Sequence, residues 1–134
     1  MSPSSRTVLE AKRLGIVGCK PTDRMDKIAR RMADEDISAL VVTDANGHLH
    51  GIISRIDILR AFVETDDWRA QTVEQYMTRN VISVMPETTV EETARILIGH
   101  HIHRVVVVRP EEGGMRPIAV VSDTDVVNEL VNDR

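Results

Sequence analysis

The sequence predicts an α/β (α+β) fold in which one β-α-β-β-α unit occurs twice, its two small sheets packed about a pseudo-two-fold axis with flanking helices. Three observations carry this. In both halves a helix-patterned segment is followed by a near-continuous apolar run, Ala39-Leu40-Val41-Val42 and Val105 to Val108, of the kind that needs burial on both faces. Pro21, Ala29, Met32, Ile37, Leu40 and Val41 recur as Pro86, Ala94, Leu97, Ile102, Val105 and Val106 at a constant offset of 65. Ser54 and Asp57 recur as Ser122 and Asp125 at an offset of 68, the second copy having the longer intervening loop. Matches at fixed offsets through two element types mark an internal duplication. Residues 1–67 are read as the first repeat with an N-terminal segment and residues 68–134 as the second, the two forming one module.

In chain order, Thr7 caps a short helix expected over 7–14, and Ile16-Val17 is an extended piece before Lys20-Pro21, where proline restricts its predecessor. Met25, Ile28, Ala29, Met32 and Ala33 have helical spacing, ended by Asp34-Glu35-Asp36. Ile37 to Thr43 is a strand, Asp44-Ala45-Asn46-Gly47 a turn, and Leu49 to Ser54 the return strand. A helix from Ser54 shows Ile56, Ile58, Leu59 and Phe62, and residues 64–67 make a linker. The second half follows suit: a short helix from Thr72, a strand at Val81 to Val84, a helix from Thr89, a strand at Ile102 to Val108, a loop from Arg109 to Pro117, a strand from Ile118 to Ser122 and a helix over Thr124 to Val131.

Composition excludes several functions. Phe62, Trp68 and Tyr76 are the only aromatics, too few for a platform that stacks single-stranded nucleic acid, and a net charge of −4 gives no general attraction to DNA or anionic membrane. Cys19 stands alone, so the chain makes no internal disulfide and no thiolate metal cluster. No segment has the length to span a bilayer, and no apolar leader follows the first residues; a cytoplasmic protein without membrane insertion is expected. The five histidines at 48, 50, 100, 101 and 103 have no recognised ligand spacing, and no histidine is placed to activate a serine, so neither a metal site nor an enzyme is expected.

The polar signal that remains is Ser-x-x-Asp after each return strand, at 54–57 and 122–125. One reading is a capping box, a serine hydroxyl on the third amide of the helix with the aspartate reaching back to the serine N–H. The other is a ligand corner, because free helix N–H groups suit phosphate and an aspartate can take both hydroxyls of a ribose. The two are compatible.

The patterns Ala39-Leu-Val-Val-Thr-Asp44…Gly47…Gly51-Ile-Ile-Ser-Arg-Ile-Asp57 and His103-Arg-Val-Val-Val-Val108…Ala119-Val-Val-Ser-Asp-Thr-Asp125, with the opener Tyr76-Met-Thr-Arg-Asn-Val-Ile-Ser-Val-Met-Pro-Glu-Thr-Thr-Val90, resemble a tandem pair of CBS domains, the Bateman module, over roughly residues 8–132. The resemblance implies a regulatory module that binds AMP, ADP, ATP or S-adenosylmethionine in clefts between the repeats, dimerises, and acts on a separate effector enzyme or transporter, with no required cofactor. It implies ribose and phosphate contacts at Ser54, Asp57, Ser122 and Asp125, phosphate contacts at His103 and Arg104, and adenine contacts at Thr78, Val81 and Ile82, with Ile16 and Val17 as counterparts. The alternative is a ligand-free interaction or scaffold module whose clefts have decayed. Its support is the inequality of the repeats: Lys12-Arg13 stands against Met77-Thr78, Ser38-Ala39 against His103-Arg104, and Ala119 takes the place of Gly51, where a methyl is expected to narrow the approach to a ligand. Leu59, Phe62, Val127 and Leu130 are expected to form homodimer surfaces.

Overall fold

A computed structural model of the chain describes residues 6–11 and 15–132. The part of the first expected helix over 12–14, and the Lys12-Arg13 pair, lie outside the described residues. The elements are α1 (Val8–Ala11), β1 (Gly18–Cys19), α2 (Met25–Glu35), β2 (Ala39–Thr43), β3 (Leu49–Ser54), α3 (Arg55–Glu64), a 3-10 turn at Trp68–Ala70, α4 (Val73–Tyr76), β4 (Ser83–Val84), α5 (Val90–His100), β5 (Arg104–Glu111), β6 (Gly114–Ser122) and α6 (Asp123–Asn132). They make two three-stranded sheets, β1-β2-β3 and β4-β5-β6, each with one parallel and one antiparallel pair.

The duplication extends to strand register. Gly18 pairs with Val41 and Ser83 with Val106; Ala39 pairs with Ser54 and Arg104 with Ser122, so the sequence offsets of 65 and 68 are also the structural ones. Even the irregularity in the antiparallel ladder repeats, between Val42 and Thr43 and between Val107 and Val108. Helices α2 and α5 each end on a residue in the left-handed region, Asp36 (φ 51°) and His101 (φ 54°), where a glycine would carry less strain. The apolar runs are buried on both faces, as their unbroken pattern demanded: Leu40, Val41, Val42 and Val105 to Val108 are all at most 1% exposed.

Two compact units make up the chain, one of Val17–Val81 and one that joins α1 to everything from Ile82 onward. The compact units and the sequence repeats are thus different partitions, because the 3-10 turn packs on α2 and α3, and α4 packs on α3, within the first unit. That unit has a core of Met25, Ile28, Met32, Leu40, Val42, Ile53, Ala61 and Val73, with Trp68 and Tyr76 packed against it. Val8, Val84, Val90, Leu97, Val105, Val107, Ala119, Val121 and Val126 form the core of the other.

One expectation is corrected. Arg109 to Pro117 is not a loop: β5 runs through Glu111, β6 begins at Gly114, and the turn contains Gly113 at φ 88°. Pairs such as Arg109 with Arg116 and Glu111 with Gly114 continue the ladder, and the Arg116 Nε donates to both carboxylate oxygens of Glu111 at 2.9 and 3.0 Å. The charged composition reflects an exposed hairpin with a bidentate tie rather than irregular chain.

Candidate functional site

Both Ser-x-x-Asp motifs stand where an antiparallel strand turns directly into a helix. In the first unit the Asp57 Oδ2 accepts the Ser54 N–H at 2.8 Å and the Ser54 hydroxyl at 3.1 Å. In the second the Asp125 Oδ2 accepts the Ser122 N–H at 2.8 Å, and the Ser122 hydroxyl accepts the Asp125 N–H at 3.1 Å. The capping reading therefore holds for both corners, and each aspartate secures the first turn of its helix. Each corner is pinned to the loop before the central strand by the next amide along, Arg55 N–H to the Ser38 carbonyl at 3.1 Å and Asp123 N–H to the His103 carbonyl at 2.9 Å.

The corners differ in charge. Ser38 and Arg55 in the first unit correspond to His103 and Asp123 in the second, at the same offsets. Arg55 pairs with Asp36 at 3.1 Å, whereas the His103 Nδ1 lies 3.0 Å from the Asp123 Oδ2. The hydrogen bond from His103, helped by the amide of Thr124 and the charges of His103 and Arg104, holds the Asp123 carboxyl below its ordinary range. Burial differs too: Asp57 is 3% exposed, while Asp125 is only partly buried.

Within the first unit the structure brings Thr78 to the same strand as Ser54, since Thr78 and Ile52 exchange both backbone hydrogen bonds at 2.8 and 3.0 Å. Thr78 is exposed and Val81 partly so. The Val17 carbonyl accepts the Val41 N–H at 3.0 Å, and Val17 is 38% exposed. In the second unit Ile82 occupies the position equivalent to Val17, its carbonyl accepting the Val106 N–H at 3.2 Å. His103 and Ile16 are exposed, and Arg104 pairs with Ser122 across the β5–β6 ladder.

The expectation about Gly51 needs revision. A Cβ there would stand 2.8 Å from the Met77 sulfur and 2.8 Å from the Thr78 carbonyl, so the space is filled by the chain's own 77–78 segment. The glycine serves protein packing in its own unit, and Ala119 is fully buried in the core of the other. Sequence reasoning also missed Arg60. Its Nη2 donates to the Tyr76 carbonyl at 2.8 Å and pairs with the Asp57 Oδ1 at 3.1 Å, joining α3 to the segment that carries Thr78. The available signal was the repeat comparison, because Asn128 stands at the equivalent place. Among the described residues no group of three or more His, Cys, Asp or Glu is placed to hold a metal ion, and no helix is long and apolar enough to cross a membrane.

Two small sheets in one register, each with a strand-to-helix corner, define a tandem repeat of one fold unit. The chain belongs to the CBS domain family, whose model matches residues 10–64 and 73–132. The CBS domain is a regulatory, non-catalytic module. Among solved structures, a CBS-domain containing protein of Agrobacterium tumefaciens superposes with a TM-score of 0.81 at 28% identity, covering 96% of both chains. The transcriptional repressor CcpN of Bacillus subtilis is 31% identical over 100 residues, which cover 73% of this chain and 47% of that protein. The human 5'-AMP-activated protein kinase subunit gamma-3 is 37% identical over 49 residues, 37% of this chain and 10% of the subunit. The chain thus spans less than half the length of either curated relative.

Proposed function

We propose that the protein is a regulatory module that binds an adenosine-containing ligand, AMP, ADP, ATP or S-adenosylmethionine, at its strand-to-helix corners. The observation that carries this is the pair of Ser-x-x-Asp corners in one register, each with an aspartate at a helix N-terminus, and in the second unit with His103 and Arg104 at the adjoining strand start. A carboxylate there can accept a ribose diol, and a guanidinium near the positive end of a helix dipole suits phosphate. Backbone and apolar contacts of Thr78, Val81, Ile82, Ile16 and Val17 suit an adenine ring. The local similarity to a subunit of the AMP-activated protein kinase supports this ligand class.

Binding would favour the conformation with the higher affinity, and the output passes through self-association or a separate effector enzyme or transporter. The exposed faces of α3 and α6 offer the apolar surface for a homodimer, with Leu59 and Phe62 at 57% and 62% exposure and Val127 and Leu130 at 55% and 54%. Calorimetric titration with AMP, ADP, ATP, NAD and S-adenosylmethionine tests the reading. The expected result is saturable binding of at least one of them, weakened by Asp125→Asn. No binding up to millimolar concentration removes the sensor function; binding that neither Asp57→Asn nor Asp125→Asn weakens removes the corner assignment.

A further inference from the structure

At the far end of the first sheet from the Ser54 corner lies a pocket of about 350 Å³, whose lining includes Cys19, Lys20, Asp23, Lys27, Arg31 and Thr43. Ser54 pairs with Ala39 at one end of β2 and Leu49 with Thr43 at the other, about 13 Å away along the strand, so the pocket is separate from the corner. Three of its side chains are cations and one is a carboxylate. The Asp23 Oδ2 accepts the Lys20 N–H at 2.9 Å, and its Oδ1 takes the Lys27 ammonium at 3.2 Å. Arg31 is held in place by other donors of its own guanidinium, Nη1 to the Gly18 carbonyl at 2.8 Å and Nε to Glu35 at 3.3 Å. Its Nη2 and the Lys20 ammonium have no hydrogen-bond partner among the described residues. Cys19 adds no charge, because burial keeps its thiol protonated.

The second repeat is an internal control for what the fold requires. At the offset of 65, which the strand registers share, Met85, Thr88, Glu92 and Ile96 stand at the places of Lys20, Asp23, Lys27 and Arg31. The unit therefore folds without these cations. Lys27 moreover lies in the first turn of α2, where the helix dipole disfavours an ammonium, whereas Glu92 in α5 has the favoured sign and accepts the Thr89 hydroxyl at 3.0 Å. A charge cluster that the fold does not need, one member of which opposes the local field, points to a ligand. Among the lining residues the surplus is two positive charges, which a phosphate monoester balances at neutral pH. We propose that this pocket is a separate ligand site that binds the phosphate group of a small phosphorylated compound, with the anchored Arg31 donating through Nη2, Lys20 and Lys27 neutralising the charge, and the Thr43 hydroxyl supplying a further hydrogen bond.

The test is titration of the full chain with pyrophosphate and with inorganic phosphate, followed by calorimetry and by amide NMR, against sodium chloride at matched ionic strength. The expected result is saturable movement of the Cys19, Lys20, Lys27 and Thr43 amides, at lower concentration for pyrophosphate than for phosphate and absent with chloride. The double variant Lys20→Met with Lys27→Glu copies the second repeat, and it is expected to weaken that phase by at least about tenfold. No movement of these amides up to millimolar pyrophosphate, equal movement with chloride, movement confined to residues 103–125, or a double variant that binds like the wild type overturns the proposal. Should the variant fail to fold, the wild-type amide map decides by itself. The pocket does not rest on the ligand reading of the corners: AMP binding that depends on Asp125, with no response to pyrophosphate at Lys20, removes the pocket and leaves the corners standing.

Discussion

Replacement of Gly51 by alanine tests whether the first unit depends on a close crossing of two chain segments. The added methyl would stand 2.8 Å from the Thr78 carbonyl oxygen, 2.8 Å from the Met77 sulfur and 3.1 Å from its Cγ, where ordinary contact begins near 3.4 Å. Met77 is 8% exposed and packed in the core, so its thioether has little room to swing aside, and the second clash is with backbone. Relief requires the 77–78 segment to retreat by roughly 0.6 Å. That would stretch the two hydrogen bonds between Thr78 and Ile52, now 2.8 and 3.0 Å. They would reach about 3.4–3.6 Å, where most of their strength is gone. Losing a large part of two such bonds costs about 1–2 kcal/mol and overpacking adds about 1–3, while replacing a strand glycine returns about 0.5–1. The net expectation is a loss between about 1 and 4.5 kcal/mol, centred on about 2–3.

Urea unfolding followed through the single tryptophan reads this directly, because Trp68 packs on the core of the same unit. With a slope of about 2 kcal/mol per molar, the midpoint falls by about 1–1.5 M. Gly99→Ala is the control of opposite sign. Gly99 lies in α5 with nothing within 4 Å of an added methyl, and alanine there should stabilise by about 0.5–1 kcal/mol. A Gly51→Ala protein that unfolds at the wild-type midpoint would refute the close-approach argument.

Three further predictions follow from other parts of the molecule. Burial, with a smaller contribution from the Asp23 charge, pushes the Cys19 thiol up to about 12, so a thiol reagent at pH 8 should label the protein only after denaturant is added. Because the folded value is the higher one, this thiol's contribution to stability is complete below the unfolded value of about 8.5 and is lost as pH rises toward the folded one. The Asp44 carboxyl is held below its ordinary range chiefly by the His48 amide and also by that of Asn46, so its contribution is complete above about pH 4 and is lost as pH falls through the depressed value; Asp44→Asn should flatten the acid limb of the stability profile. If α3 and α6 form homodimer faces, Leu59→Glu and Leu130→Glu should each shift the sedimentation profile from dimer to monomer. Loss of one buried leucine from each copy removes about 1.5–3 kcal/mol per side. A dimer unmoved by both changes would place the interface elsewhere.

Much of the architecture was legible in the residue order because it depends on local pattern. The unbroken Val-rich runs specify strands buried on both faces, and the offsets of 65 and 68 proved to be the strand registers themselves. Ser-x-x-Asp was legible as a capping box because both partners lie within one helical turn. The hairpin at 109–117 was misread because charge and glycine content describe exposure, and the cross-strand pairs, such as Arg109 with Arg116 and Glu111 with Gly114, separate a two-stranded ribbon from a loop.

By itself, then, the sequence determined the duplicated unit, its strand registers and its two capped corners, since each follows from periodicity or from neighbours a few residues apart. Tertiary structure alone decided why Gly51 lacks a side chain, and that Arg60 spans sixteen residues to Tyr76 while engaging Asp57. Those are contacts between segments far apart in the chain, and their distances exist only once the backbone has folded.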